Sequence, residues 1–241
     1  MTDTGSTSLN FIDLIQEFGA VGEFARFARR AWTWPFTAAA EHPRSILLIP
    51  GFMAGDATLY PFADWLRSRG HQVFFSGILA NANCPRRAVE RLVGITEELA
   101  QRGREKLVVI GHSLGGIYAR ELARRLPQHI EQIILLGSPI QGPLANSNPF
   151  VRIFAVVVRN IHESRSGCRG ELANVCGVHS FEPPPGIPET LIYTKRDGVV
   201  DWMSCVESGP DVTAFEVHST HCGLPYNLDT LRIVRERIEH A

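Results

Sequence analysis

The 241-residue chain has no apolar run near the length of a membrane span. Its longest apolar stretches, such as Ser45 to Pro50 and Phe154 to Val158, fall far short of the 18 or so residues a spanning helix needs. Nor is there an excess of charge: 24 Lys plus Arg stand against 25 Asp plus Glu. Without a basic run or stripe there is no electrostatic footprint for nucleic acid. The five cysteines include no Cys-x-x-Cys pair and show no metal spacing. The start, MTDTGSTS, has neither the basic residues nor the apolar run of a secretory signal, so export by that route is not expected. No repeat, linker or low-complexity segment interrupts the chain. What remains is a 44% hydrophobic sequence long enough for one substantial core, read here as a single domain over 1–241.

The most informative stretch is Lys106 to Gly116, KLVVIGHSLGG. Leu107 to Ile110 is a short, continuously apolar, β-branched run, the pattern of a strand buried on both faces of a parallel sheet. After Ser113 the period changes. Leu114, Ile117, Tyr118, Leu122 and Leu126 recur every three to four residues, with Arg120, Glu121, Arg124 and Arg125 between them, which predicts an amphipathic helix. Ser113 therefore sits on a strand-to-helix turn tight enough to need glycine at 111 and 115.

Around it the chain alternates strand and helix: strand Ser45 to Pro50, helix Tyr60 to Arg69, strand His71 to Ile78, helix Arg86 to Arg102 and strand Glu131 to Leu136. That order predicts an α/β fold with a mostly parallel sheet, helices on both faces, and ligand chemistry at the carboxyl ends of the strands. Near the start, Phe11, Leu14, Ile15, Phe18, Val21, Phe24 and Phe27 follow helical spacing over about 9–32, with Asp13 and Glu17 early and Arg26, Arg29 and Arg30 late. Such a helix either lies on a lipid surface near the substrate entrance or packs on the domain. Its mixed charged face favours packing.

Gly111, His112, Ser113, Leu114, Gly115 and Gly116 resemble the nucleophile elbow of the α/β-hydrolases, and within them of bacterial lipases and esterases. The resemblance covers roughly 45–235 and implies an α/β-hydrolase fold with a small helical lid. It makes Ser113 the nucleophile. The loop after the first strand would supply one oxyanion donor, the backbone N–H of Phe52, and the N–H of Leu114 the other. Phe52, being apolar, suits acyl chains. The alternation fails between Pro139 and Pro188, where the family carries insertions over the site, and residues of about 143–185 are read as the lid.

The resemblance places the acid after a strand ending at Tyr193. Asp197, in an Asp-x-x-Val pattern, is favoured over Asp201, which could cap the next helical turn. After the last strand, Val212 to Val217, the sequence His221-Cys222-Gly223-Leu224 matches the family's His-x-Gly-Leu and makes His221 the general base ahead of His218. The order Ser113, Asp197, His221 is the family's order. No cofactor or metal is implied; a set of His218 and His221 near Asp211 is a weak metal candidate. Cys205–Cys222 and Cys168–Cys176 are candidate disulfides that would clamp the triad loops and the lid, with Cys84 left free; otherwise the thiols are reduced and the protein cytoplasmic. The expected function is hydrolysis of small-molecule carboxylic esters with an apolar acyl group. Acyl transfer to an alcohol, or ligand binding without catalysis, are the alternatives.

Overall fold

The computed structural model describes residues 17, 19–31, 40–82, 84–103, 105–141 and 183–239. Its elements run α1 (Gly19–Ala31), β1 (Ser45–Ile49), α2 (Tyr60–Ser68), β2 (Gln72–Phe75), α3 (Pro85–Gln101), β3 (Leu107–His112), α4 (Leu114–Arg125), β4 (Ile130–Leu136), β5 (Glu189–Tyr193), β6 (Val212–Glu216) and α5 (Leu228–Glu239). The six strands form one all-parallel sheet in the order β2-β1-β3-β4-β5-β6.

Each central strand sends alternate residues to opposite faces, so a continuous apolar run is needed to bury both. On one face Leu47, Ile49, Leu107, Val109, Ile133 and Leu135 pack with Val89 and Leu92 of α3 and Ile117, Tyr118 and Leu122 of α4. On the other, Ile46, Leu48, Val108, Ile110, Ile134 and Leu136 pack with Phe27 of α1, Phe62 and Leu66 of α2, and Leu231 and Val234 of α5. The chain moves outward from β1 to β2, then returns across β1 to β3. Such a reversal opens a crevice at the carboxyl edge, between the loops that follow β1 and β3.

The polar stripe expected on α4 is not all solvent-facing. Arg120 and Glu121 are buried, at 2% and 0% exposure. Arg120 Nε donates to Glu189 Oε1 at the start of β5 (2.7 Å), and its Nη2 to Glu207. Glu121 accepts from Arg124 and Arg125 one turn on. A helix covered on most sides keeps its charges only by pairing them.

The sequence reading of α1 also needs correction. Val21 and Phe24, placed on its apolar stripe, are 69% and 42% exposed, whereas Glu23 and Phe27, four residues apart, face inward. The helix α5 was not anticipated; Asn227 Oδ1 accepts from Asp229 N and Thr230 N and caps it. Residues 9–16, 18 and 32 of the expected first helix, the apolar helix around Phe150 to Val158 and nearly all of the lid at about 143–185 lie outside the described residues.

Candidate active site

Four loops meet at the carboxyl edge of the sheet. The tightest carries Ser113, whose φ of 53° and ψ of −120° put a non-glycine residue in the left-handed region. The turn is held by Ser113 N–H donating to Leu136 O (2.8 Å) and Gly116 N–H to Ser113 O (3.0 Å). Its glycines are steric requirements. A Cβ at 111 would lie 2.4 Å from Gly115 O, and one at 115 would lie 2.3 Å from Ile49 O. The strain at Ser113 persists because this packing leaves the chain no other path.

The loop after β1 runs beside it. A Cβ on Gly51 would stand 3.1 Å from Ser113 Cβ. Buried Asn81 pins this loop: its Nδ2 donates to Pro50 O (2.8 Å), its backbone N–H to Ala54 O (2.8 Å), and its carbonyl accepts from Met53 N–H (3.0 Å). Met53 has a φ of 60°. Phe52 is thus flanked by fixed backbone, and Leu114 is the first residue of α4, where a helix leaves its N–H groups pointing outward.

Asp197 and His221 come together. His221 Nδ1 donates to Asp197 Oδ2 at 2.6 Å, both side chains nearly fully buried. The other carboxylate oxygen, Oδ1, accepts from Val199 N and Val200 N, both at 2.9 Å, which fixes the carboxylate's orientation. With the proton on Nδ1, Nε2 is left as an acceptor. Asp201 does what a capping residue does: its Oδ1 accepts from Met203 N (3.0 Å) at the start of a short 3₁₀ turn. His218 faces outward and its Nε2 lies 2.9 Å from Arg196 Nη1.

The His221 loop is tied to the Ser113 turn. His112 Nε2 donates to the carbonyl of His221 (3.0 Å), with the two rings 5.0 Å apart. A Cβ on Gly137, directly after Leu136, would be 3.2 Å from His221 Nδ1. Burial, reinforced by the neighbouring His221 charge and only partly offset by the hydrogen bond to His221 O, pushes His112 down to about 3 and keeps it neutral. For His221, burial favours the neutral ring. The charge and hydrogen bond of Asp197, with the charge of Glu17, outweigh it and raise the imidazole above its ordinary value.

Glu17 and Glu23 were not recognised as site residues, and neither was Asn81 as a support. Glu17 Oε1 accepts from Gly198 N (2.9 Å) and His221 N (3.0 Å), and its Oε2 from Cys222 N (2.8 Å). Glu23 accepts from Ser219 Oγ, Thr220 N and Asn227 Nδ2. One signal existed: Glu23 lies on the helical stripe of Phe27, where a carboxylate needs an internal partner.

The cysteine expectations are corrected. Cys205 and Cys222 are free thiols and form no bridge; Cys205 is buried with its Sγ toward Asp201 O. Cys84 is disulfide-bonded rather than free. Cys168 and Cys176, the other expected pair, lie outside the described residues. Among the described residues no three His, Cys, Asp or Glu side chains converge as a metal ion requires, and no helix is long and apolar enough to cross a membrane.

Residues 74–190, just under half of the chain, match the family described as a PGAP1-like alpha/beta domain. The match includes Ser113 and ends before Asp197 and His221. Over 159 residues the chain is 26% identical to methyl jasmonate esterase 1 of Vitis vinifera, covering 61% of this chain and 58% of that protein, so less than two thirds of the relative's length is represented. A carboxylesterase from Bacillus subtilis superposes with a TM-score of 0.54 at 15% identity, over 92% of this chain and 97% of its own. A mature lipase from Bacillus licheniformis does so at 0.56 and 14%, over 83% and 95%.

Proposed function

The chain is an α/β-hydrolase by fold, and on that premise we propose that it hydrolyses small-molecule carboxylic esters through an acyl-enzyme on Ser113. A serine hydroxyl is a poor nucleophile at neutral pH, so its proton must leave as it attacks. His221 Nε2 takes that proton, and Asp197 on Nδ1 keeps the ring in the needed tautomer and stabilises the imidazolium. The carbonyl oxygen becomes an oxyanion between the N–H groups of Phe52 and Leu114. Collapse expels the alcohol, which receives the proton from His221. Water then enters by the same route in reverse and releases the acid, restoring Ser113.

The observation that carries this reading is the 2.6 Å bond from His221 Nδ1 to Asp197 Oδ2, with the His221 loop bound to the strained Ser113 turn through His112. The apolar character of Phe52 and Met53, beside that turn, supports an uncharged acyl group. The names of its relatives, a methyl ester esterase and a carboxylesterase among them, point to the same substrate class.

The test is hydrolysis of p-nitrophenyl esters from short to long acyl chain by the wild type, Ser113→Ala and His221→Ala. Turnover by the wild type with near-complete loss in both variants is expected. Equal turnover by wild type and Ser113→Ala would refute the reading. Wild-type transfer of the acyl group to an added alcohol in preference to water would make the protein an acyltransferase on the same residues.

A further inference from the structure

We propose that Glu17 is a positioning residue of the Asp197–His221 pair, its carboxylate joining the acid loop to the base loop from outside both. This deepens, and rests on, the ester-hydrolase reading. The two loops follow different strands, and no disulfide links them, Cys205 and Cys222 being free. Thr194 Oγ1 donates to Ser219 O (2.8 Å) and Arg196 meets His218 elsewhere on the loops, but the main chain beside Asp197 and His221 is joined by one carboxylate, that of Glu17. Its Oε1 receives the N–H of Gly198, the residue after the acid, and the N–H of His221 itself; its Oε2 receives the N–H of Cys222. Three charge-assisted bonds to main chain flanking the acid and the base fix their separation where the 2.6 Å bond forms.

Glu23 holds the outer side of the base loop. It is 5% exposed and receives Ser219 Oγ (2.6 Å), Thr220 N (2.8 Å), Thr220 Oγ1 (3.2 Å) and Asn227 Nδ2 (3.2 Å), all neutral donors. The roles differ. Glu23 touches residues before the base and the cap of α5, whereas Glu17 touches the base's own main chain.

The charges facing His221 are those of Asp197 from the loop after β5 and Glu17 from the segment before α1; His112, from β3, is neutral, and the Cys222 thiol beside it is pushed up to about 12 by desolvation and by the same two carboxylates. Glu17 therefore adds to Asp197 in favouring the imidazolium that forms as the serine proton is taken. Removing its charge lowers the His221 midpoint. The acid limb of kcat/KM, which follows the free base, then moves to lower pH, while the weakened base and loosened geometry lower the plateau of kcat.

The experiment compares wild type, Glu17→Gln, Glu17→Asp and Glu23→Gln by NMR titration of the His221 ring, identified by its loss in His221→Ala, and by pH profiles of kcat and KM. For Glu17→Gln the inference expects the NMR midpoint and acid limb to move together to lower pH, and kcat on the plateau to fall about 10-fold to 100-fold with KM little changed. Glu17→Asp, which keeps the charge but not the reach, should hold the midpoint near wild type and still lose kcat. Glu23→Gln should melt earlier and leave the midpoint in place. An unmoved His221 midpoint in Glu17→Gln overturns the inference, as does wild-type kcat in both Glu17 variants. A midpoint that moves in a protein whose wild type turns over no ester upholds the tie to His221 and sinks the hydrolase reading instead.

Discussion

The carboxylate of Glu23 occupies the space that a side chain at position 223 would need. A Cβ built on Gly223 lies 2.4 Å from Glu23 Oε1 and 2.5 Å from its Cδ. The glycine two residues after His221 is thus required by a buried carboxylate from α1. Gly223→Ala should displace that carboxylate or the loop, and lose stability and activity together. Gly94 is the contrast: it lies inside α3 with nothing within 4 Å of a built Cβ, and Gly94→Ala should gain about 0.5–1 kcal/mol. Urea unfolding of the two variants checks both signs.

Asp197 and Asp201, four residues apart, should separate cleanly. Asp197→Asn leaves the ring without its orienting acceptor and should lower kcat by about 10⁴-fold. Asp201→Ala removes a cap, costs about 1 kcal/mol, and should keep activity within a few-fold of wild type. Steady-state kinetics with a melting curve for each variant decides the assignment, and a collapse of kcat in Asp201→Ala alone would reverse it.

The two neighbouring histidines predict opposite pH effects. With His221 as the proposed base, catalysis requires its neutral form, and because its folded midpoint is raised, kcat/KM should rise with pH through a midpoint above 6.5. The raised midpoint also stabilises the fold: that contribution is complete below 6.5 and is lost as pH climbs through the folded value. His112 runs the other way. Its folded midpoint is about 3, so the unfolded chain takes up a proton first and stability falls as pH drops from 6.5 towards 3. Denaturant unfolding across this range should show the acid-side loss, reduced in His112→Gln; a kcat/KM midpoint at or below 6.5 would contradict the His221 assignment.

The free thiols should be slow to react. Cys222 is exposed at the surface, yet desolvation of its sulfur first, then the Glu17 and Asp197 charges, pushes it up to about 12, and burial with Asp197 raises Cys205 well above its ordinary value. A thiol reacts as its thiolate, so native alkylation at neutral pH should lag far behind that of the unfolded chain. Cys84 should be alkylated only after reduction. Peptide mass mapping before and after reductant reads all three.

The strands and the Ser113 turn were legible because their constraints are local. A continuous apolar run, two glycines and a change of period lie within eleven residues, 106–116, and the structure places β3 and α4 on either side of Ser113. The preference for Asp197 over Asp201 rested likewise on distance to a strand end, and it is Asp197 that bonds His221. The links between distant segments were not. Glu17 is 204 residues from His221 and Glu23 is 196 from Ser219, and at that separation a glutamate near a helix start looks like a dipole partner. Arg120 looked solvent-facing because the sequence does not announce that Glu189, 69 residues on, will bury beside it. The cysteine pairing failed for a related reason. Cys205 and Cys222, on the Asp197 and His221 loops, suggested a clamp, but those loops are joined by hydrogen bonds, Glu17's among them, and the thiols stay apart.

The central claim is that Ser113 is an activated nucleophile, and covalent labelling tests it most directly. The wild type is treated with a fluorophosphonate, which traps serines activated by a neighbouring base, and its intact mass and labelled peptide are read by mass spectrometry. The account predicts one adduct per chain, on Ser113, absent from Ser113→Ala and much slower in His221→Ala and Asp197→Asn. A folded wild type that takes up no label, or takes it up equally in Ser113→Ala, would contradict it.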